Sequence, residues 1–230
     1  IQIDTDLKPE RSNSVNASIN FNKKFENWMF DVLLEGFYTD LNHVFLLEEV
    51  GKDADNNLIL ERRNGSGATV KGFNLEGSIV PHKKIKMQFG FTYQQSRYKE
   101  AESWSELVKA QKKMFRSPDS YGFLTTVYSP LKGFDIALSA TYTGSMLVQH
   151  FAGYIPIDKE EQTPAFFDLN VKLSYDIELK EKMVLQINGG MKNILNSYQK
   201  DFDKGEFRDA GYIYGPSLPR TAFIGLSFNI

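Results

Sequence analysis

Residues 221–230, TAFIGLSFNI, alternate one by one. Ala222, Ile224, Leu226, Phe228 and Ile230 form one apolar file. Thr221, Gly225, Ser227 and Asn229 form the other, with Phe223 its one bulky exception. A period of two specifies a strand with a single apolar face. The same rule recurs upstream, over residues 14–22, 28–39, 69–80, 85–99, 134–142, 167–175 and 183–192. Tyr121 to Ser129 adds a segment with apolar residues on both faces, which brings the expected count to about nine strands. A composition of 13% aromatic residues, mostly Phe and Tyr, suits strands. No run approaches 18 apolar residues, so a membrane-spanning helix is ruled out, whereas strands about 10 residues long that alternate are the mark of a membrane barrel.

The connections alternate in length. Short ones fall near 23–27, 81–84, 129–133 and 176–182; long ones fall near 40–68, 100–120, 144–163 and 196–218. This asymmetry fits an outer-membrane barrel with short periplasmic turns and long outer loops. A hairpin is expected within 40–65. The spacing of Trp104, Leu107, Val108 and Met114 predicts a short helix in the next long loop. On the apolar files, Phe21, Trp28, Tyr128, Phe134, Tyr175 and Phe228 fall at the short-turn end, and Tyr38, Phe73, Tyr93, Tyr142 and Phe167 at the other. Aliphatic residues lie between them, and Phe89 and Phe91 blur the pattern. Two ring levels around an aliphatic band form an interfacial girdle. No charge falls on this proposed lipid face. The opposite face carries Asp31, Glu35, Glu76, Lys86, Asp135, Asp168 and Lys172, which are expected to face the lumen.

Several phrases resemble TonB-dependent outer-membrane receptors. Gly225, Phe228 and Ile230 resemble the C-terminal assembly signal of outer-membrane barrels, with Phe223 standing where a polar residue is usual. The stretches 192–198 (KNILNSY) and 214–220 (YGPSLPR) look like closing segments of that family. The stretches 6–12 (DLKPERS) and 64–76 look like earlier phrases of its barrel. The resemblance implies an all-β, antiparallel transmembrane β-barrel. The chain would supply about nine C-terminal strands of a larger, 22-stranded barrel, with 1–230 one barrel portion and the plug domain and earlier strands not in this chain. It implies TonB-dependent uptake, across the outer membrane of a Gram-negative bacterium, of a scarce large solute, most often a siderophore, haem or cobalamin chelate. Its implied partners are the TonB complex, reached through an N-terminal segment not in this chain, the barrel-assembly machinery, and the lipid and lipopolysaccharide of the outer membrane. A surface lipoprotein is left open as a further partner. A passive porin and a soluble β-sandwich binding module are the alternatives.

The residues offer no enzyme constellation, no cofactor motif and no metal site. His43, His82 and His150 are scattered and read as solvated loop residues. Gly65-Ser66-Gly67 lacks the lysine of a phosphate loop and reads as a loop tip. Asp53 to Asn57 echoes a calcium loop, but Leu58 and Asn64 stand where Gly and Glu are required. The basic run Lys109 to Arg116 suits an anionic ligand or, more simply, a solvated face. A formal charge of -2 gives no case for nucleic acid. The outer-loop aromatics Trp104, Phe115, Phe151, Tyr154, Tyr212 and Tyr214 are candidates for ligand contact or, more simply, for packing within the loops. If the chain is part of a larger barrel, the denatured natural protein should run several times heavier than 26.3 kDa; a single band at that mass points to a small barrel or soluble module.

Overall fold

The computed structural model describes residues 1–26, 28–55, 58–179 and 183–229. The strands in chain order are β1 (Gln2–Ile3), β2 (Arg11–Lys24), β3 (Met29–Asn42), β4 (Phe45–Lys52), β5 (Leu58–Asn64), β6 (Ala68–His82), β7 (Ile85–Glu102) and β8 (Gln111–Lys113). They continue with β9 (Ser120–Leu131), β10 (Phe134–Thr143), β11 (Leu147–His150), β12 (Lys159–Gln162), β13 (Phe166–Glu178), β14 (Val184–Lys192) and β15 (Thr221–Asn229). Nine of them form one meander in the order β15-β14-β13-β10-β9-β7-β6-β3-β2, with β8 added beside β7. Each step of the meander joins neighbours in the chain's own order and is antiparallel.

Register converts the alternation into faces. Gly36 pairs with Phe73, Phe73 with Tyr93, Leu138 with Val171, and Ile187 with Leu226. Between the two ring levels this outward face carries no charge among the described residues. The rings meet across strands: Phe21 and Phe30 lie 5.2 Å apart, Phe134 and Tyr175 6.5 Å, and Phe73 and Tyr93 5.8 Å. Phe89 and Phe91 sit at mid-level because glycines leave room for them. A Cβ on Gly77 would meet the Phe89 ring at 2.9 Å, and one on Gly122 would meet Phe91 at 3.2 Å.

The sheet has almost no core of its own. Its outward residues stay accessible, as Tyr175 at 51% and Leu226 at 71% show. Of the buried apolar residues among those described, Ala68, Ala140 and Phe166 belong to these nine strands; Val44, Trp104, Met146, Leu147, Val148 and Tyr212 lie in the long connections. A β-sandwich buries the inner faces of two packed sheets. Here both faces of one large sheet await a cover, so the soluble-sandwich alternative does not describe this fold.

The expected hairpin in the first long loop is β4–β5, against which β1 lies parallel. The third long loop carries a further hairpin, β11–β12, which the alternation did not signal. The expected loop helix is absent. Ser103 Oγ donates to the carbonyls of Ser105 and Val108, and Leu107 N–H donates to Ser105 Oγ. Such serine bonds divert the backbone from helical pairing. Lys113 then pairs with Arg97 in a strand.

Close backbone approach leaves no room for a side chain at Gly190, as at Gly72. A Cβ on Gly190 would lie 2.1 Å from the Val171 carbonyl oxygen and 3.0 Å from the Phe223 ring, whereas one on Gly36 meets nothing within 4 Å. Gly190→Ala is expected to destabilise the folded barrel by about 1–3 kcal/mol. Gly36→Ala should stay within about 0.5 kcal/mol of the parent. Urea unfolding in detergent micelles measures both.

Candidate functional site: inner wall and outer-loop cap

The inward face gathers the charges. Asp31 pairs with Ser78, Glu35 with Asn74, Glu76 with Leu33, Lys86 with Val127, Asp135 with Ser174, Asp168 with Thr141 and Lys172 with Ala137, all on one side of the sheet. Glu76 stands opposite Leu33, diagonal to both Asp31 and Glu35, so three carboxylates share one patch. Among the described residues none of the three is ion-paired; Asp31 accepts from Asn22 Nδ2 at 2.8 Å. Ser129 Oγ donates to Asp135. Further along the wall, a concavity of about 470 Å³ is lined by Ser139, Asp168, Asn170, Lys172, Lys192 and Phe223, among others. Lys192 Nζ lies 5.7 Å from the Phe223 ring centre. Phe223, the exception in the C-terminal alternation, is thus a wall residue on the inward face.

The long connections 103–119, 144–165 and 193–220 lock into a cap. Its centre is Met146, Val148 and Tyr212, with Tyr214 packed on them. The His150 ring stacks on Tyr212 at 3.6 Å, and its Nε2 lies 3.0 Å from both carboxylate oxygens of Asp203. Asp201 accepts from the Tyr212 hydroxyl at 3.0 Å and the Tyr214 hydroxyl at 2.6 Å. Gln199, only 1% exposed, donates to the Tyr212 carbonyl and accepts from Tyr214 N–H. Arg116 donates to the carbonyls of Gly211 and Ile213, while its own N–H donates to the Leu147 carbonyl, so one residue joins three connections.

The six aromatics expected in the loops divide. Tyr212 and Trp104 are buried, and Trp104 packs edge-on to Phe151 at 4.6 Å. Tyr214 and Phe115 are partly covered, and Tyr154 is exposed. His150 corrects the reading of the histidines as solvated, being 5% exposed and paired. Its partners sit more than fifty residues away, so no local signal pointed to Asp201, Asp203 or Gln199. His43 and His82 stand at the ends of other strands, away from it. At the calcium-like stretch, Asp53 Oδ1 accepts from Asp55 N–H, a local turn; Asn56 and Asn57 lie outside the described residues. Ser66, at the glycine-flanked tip, is tied to Glu102 and Glu100. Within the basic run, Lys113 pairs with Asp119 and Lys112 donates to the Lys99 carbonyl. Gly225 faces Asn188 and Phe228 faces Leu185; Ile230 lies outside the described residues.

Burial would raise the Asp201 carboxyl, but the Tyr214 and Tyr212 hydroxyls outweigh it and hold it below the usual carboxylate range. Burial, then the bond to Asp201 and its charge, pushes both phenols well above theirs. A lowered acid stabilises above its unfolded pKa and loses that contribution as pH falls through the folded value. A raised phenol stabilises below its unfolded pKa and loses it as pH climbs. The cap should therefore resist proteolysis between about pH 4 and pH 10 and loosen beyond either limit. Asp201→Ala should weaken it by about 1–3 kcal/mol, since it strands two hydroxyls. Limited proteolysis within 193–220 reads both effects.

Comparison with known proteins sets this geometry in a family. The family described as TonB dependent receptor-like, beta-barrel, matches residues 2–194. No curated protein matches the chain. Among solved structures, the ferric-catecholate import receptor Fiu of K12 E. coli superposes with a TM-score of 0.63 at 18% identity, over 98% of this chain and 28% of that one. The siderophore receptor PirA of Acinetobacter baumannii gives 0.58 at 16%, over 96% and 32%. The copper transporter OprC gives 0.62 at 11%, over 98% and 33%. The chain therefore spans about a third or less of these proteins, and at these identities they speak for the fold. With most of its length matched and its meander shared, the chain belongs to the TonB-dependent receptor β-barrel family.

Proposed function

We propose that this chain is the C-terminal wall of an outer-membrane transporter that takes up a scarce, large solute with energy supplied through TonB. The observation that carries this reading is the contrast between the two faces of one sheet. The outward face is uncharged between two levels of rings, as a lipid-facing surface requires. The inward face holds Asp31, Glu35, Glu76, Lys86, Asp135, Asp168 and Lys172, which suits a lumen filled by water, plug and passing solute. The sheet ends at β2 and β15. A free strand edge is costly in lipid, so the barrel closes through strands beyond these two.

Metal chelates are the favoured cargo. The relatives named for ferric-catecholate, siderophore and copper support this class, and the acidic patch of Asp31, Glu35 and Glu76 suits a cationic chelate. The outer cap supplies the first contacts. Tyr154 is exposed and placed to meet a ligand; Tyr212 and Trp104 act from within by holding the loops. The work is capture, then release inward, without covalent chemistry. The TonB complex acts from the periplasmic side, and the barrel-assembly machinery inserts the C-terminal strands.

Cells expressing the full receptor should accumulate a ferric chelate, and deleting TonB or collapsing the proton gradient should abolish accumulation. Uptake that survives both treatments would instead mark a passive pore. Leu138→Arg, at mid-height on the outward face, should cost about 2–4 kcal/mol of barrel stability in lipid, whereas Ser139→Arg on the inward face should cost far less. Urea titration in liposomes compares them.

A further inference from the structure

We infer that a cavity in the cap, between the 193–220 connection and the start of β13, is a binding site for the ammonium group of an organic solute. As a statement about cargo this rests on the transport reading; as a binding site it rests on the cap alone. The cavity measures about 410 Å³, and Phe166, Tyr198, Tyr214, Asn196, Lys200 and Asp201 are among its lining residues. Ile194 N–H donates to the Leu169 carbonyl and Phe167 N–H to Ser197 Oγ, which fastens the connection to the wall beside it.

Three rings and one carboxylate line this space. The Phe166 and Tyr214 ring centres lie 6.0 Å apart, tilted by 42°. Aromatic faces carry negative charge density and attract organic cations. The Tyr212 and Tyr214 hydroxyls hold the Asp201 carboxylate in place and keep it ionised. Asp201 has no ion pair among the described residues. A carboxylate has lone pairs beyond the two that the phenols use. The neighbouring amide oxygens are occupied: Gln199 Oε1 accepts from Tyr214 and Gly215 N–H, and Asn196 Oδ1 from Arg220 N–H. Asp201 is thus the group able to take a charged donor.

The chain supplies its own stand-in. Lys200 Nζ lies 5.4 Å from the Tyr198 ring centre and makes no ion pair with Asp201. An ammonium group therefore already rests on one wall of the cavity. The exposed lysine can withdraw on its flexible stem, whereas Asp201 is pinned by two phenols. An anion is disfavoured, because it would lie against that fixed charge. A bare metal ion is disfavoured as well, since no cluster of three His, Asp or Glu side chains suited to one occurs among the described residues. An ammonium on a carbon stem uses both the rings and the carboxylate.

The test uses the full receptor in detergent, with saturation-transfer NMR to follow small probes. The probes are butylammonium and the neutral butanol, with sodium ions as competitor. Butylammonium should bind and butanol should not. Tyr198→Leu and Asp201→Asn should each weaken butylammonium binding by about threefold to tenfold. Lys200→Gln removes the internal competitor and should tighten it by about threefold. Tyr198 and Lys200 lie outside the bonds between Asp201 and the phenols, so their variants report on the site even where Asp201→Asn loosens the cap. Equal binding of butanol overturns the inference, as does displacement by an equal concentration of sodium ions. Parent affinity in Tyr198→Leu, or weaker binding in Lys200→Gln, overturns it too. TonB-dependent uptake by the same proteins is scored separately. Ammonium binding without such uptake removes the statement about cargo and keeps the site; uptake without ammonium binding removes the site and keeps the transport reading.

Discussion

The ladders that run from β2 to β15 fix, residue by residue, which side chains share a face. Each pairing is antiparallel and joins neighbours in the meander, so one register error would send a whole apolar file to the wrong side. Lipid enforces the same discipline on the backbone, since an unpaired peptide group there costs several kcal/mol. Everything else in the molecule, from the ring levels to the charged wall and the placement of the long loops, follows from that continuous pairing.

The distribution of burial separates two kinds of order. The wall is held by hydrogen-bonded ladders and by rings laid over glycines, with little packing of its own. The cap is held by a small core and a polar network, in which Gln199, Asp201 and Asp203 bind groups from distant parts of the chain. A wall of this sort gains its stability within the bilayer, whereas the cap is organised like a small soluble protein. Rigid wall and separately knitted loops are suited to a receptor, where loops change with cargo and strands do not.

The outward surface has a third zone. Above the rings the lipid-facing file becomes polar, with Asp40, Lys71, Arg97 and Lys99 extending the same strands beyond the apolar band. The strands therefore do more than cross: they project a charged collar from which the hairpins and loops arise. The basic run of the second long loop is absorbed into this architecture, Lys113 joining the collar and Arg116 tying the cap.

Alternation by itself determined the nine-strand meander, its short and long connections and the two-faced chemistry of the wall, including the one face shared by the set from Asp31 to Lys172. A strand presents its residues to opposite sides by local geometry, so period two needs no knowledge of distant contacts. Even Phe223 announced itself, as the bulky member of the polar file. Only the tertiary structure decided that the expected helix near Trp104 gives way to serine-bonded turns and a strand at Gln111–Lys113. Only it could bury His150 between Tyr212 and Asp203 and leave Tyr154 exposed. Those outcomes depend on residues far apart in the chain meeting across strands and loops, and no local period records such meetings.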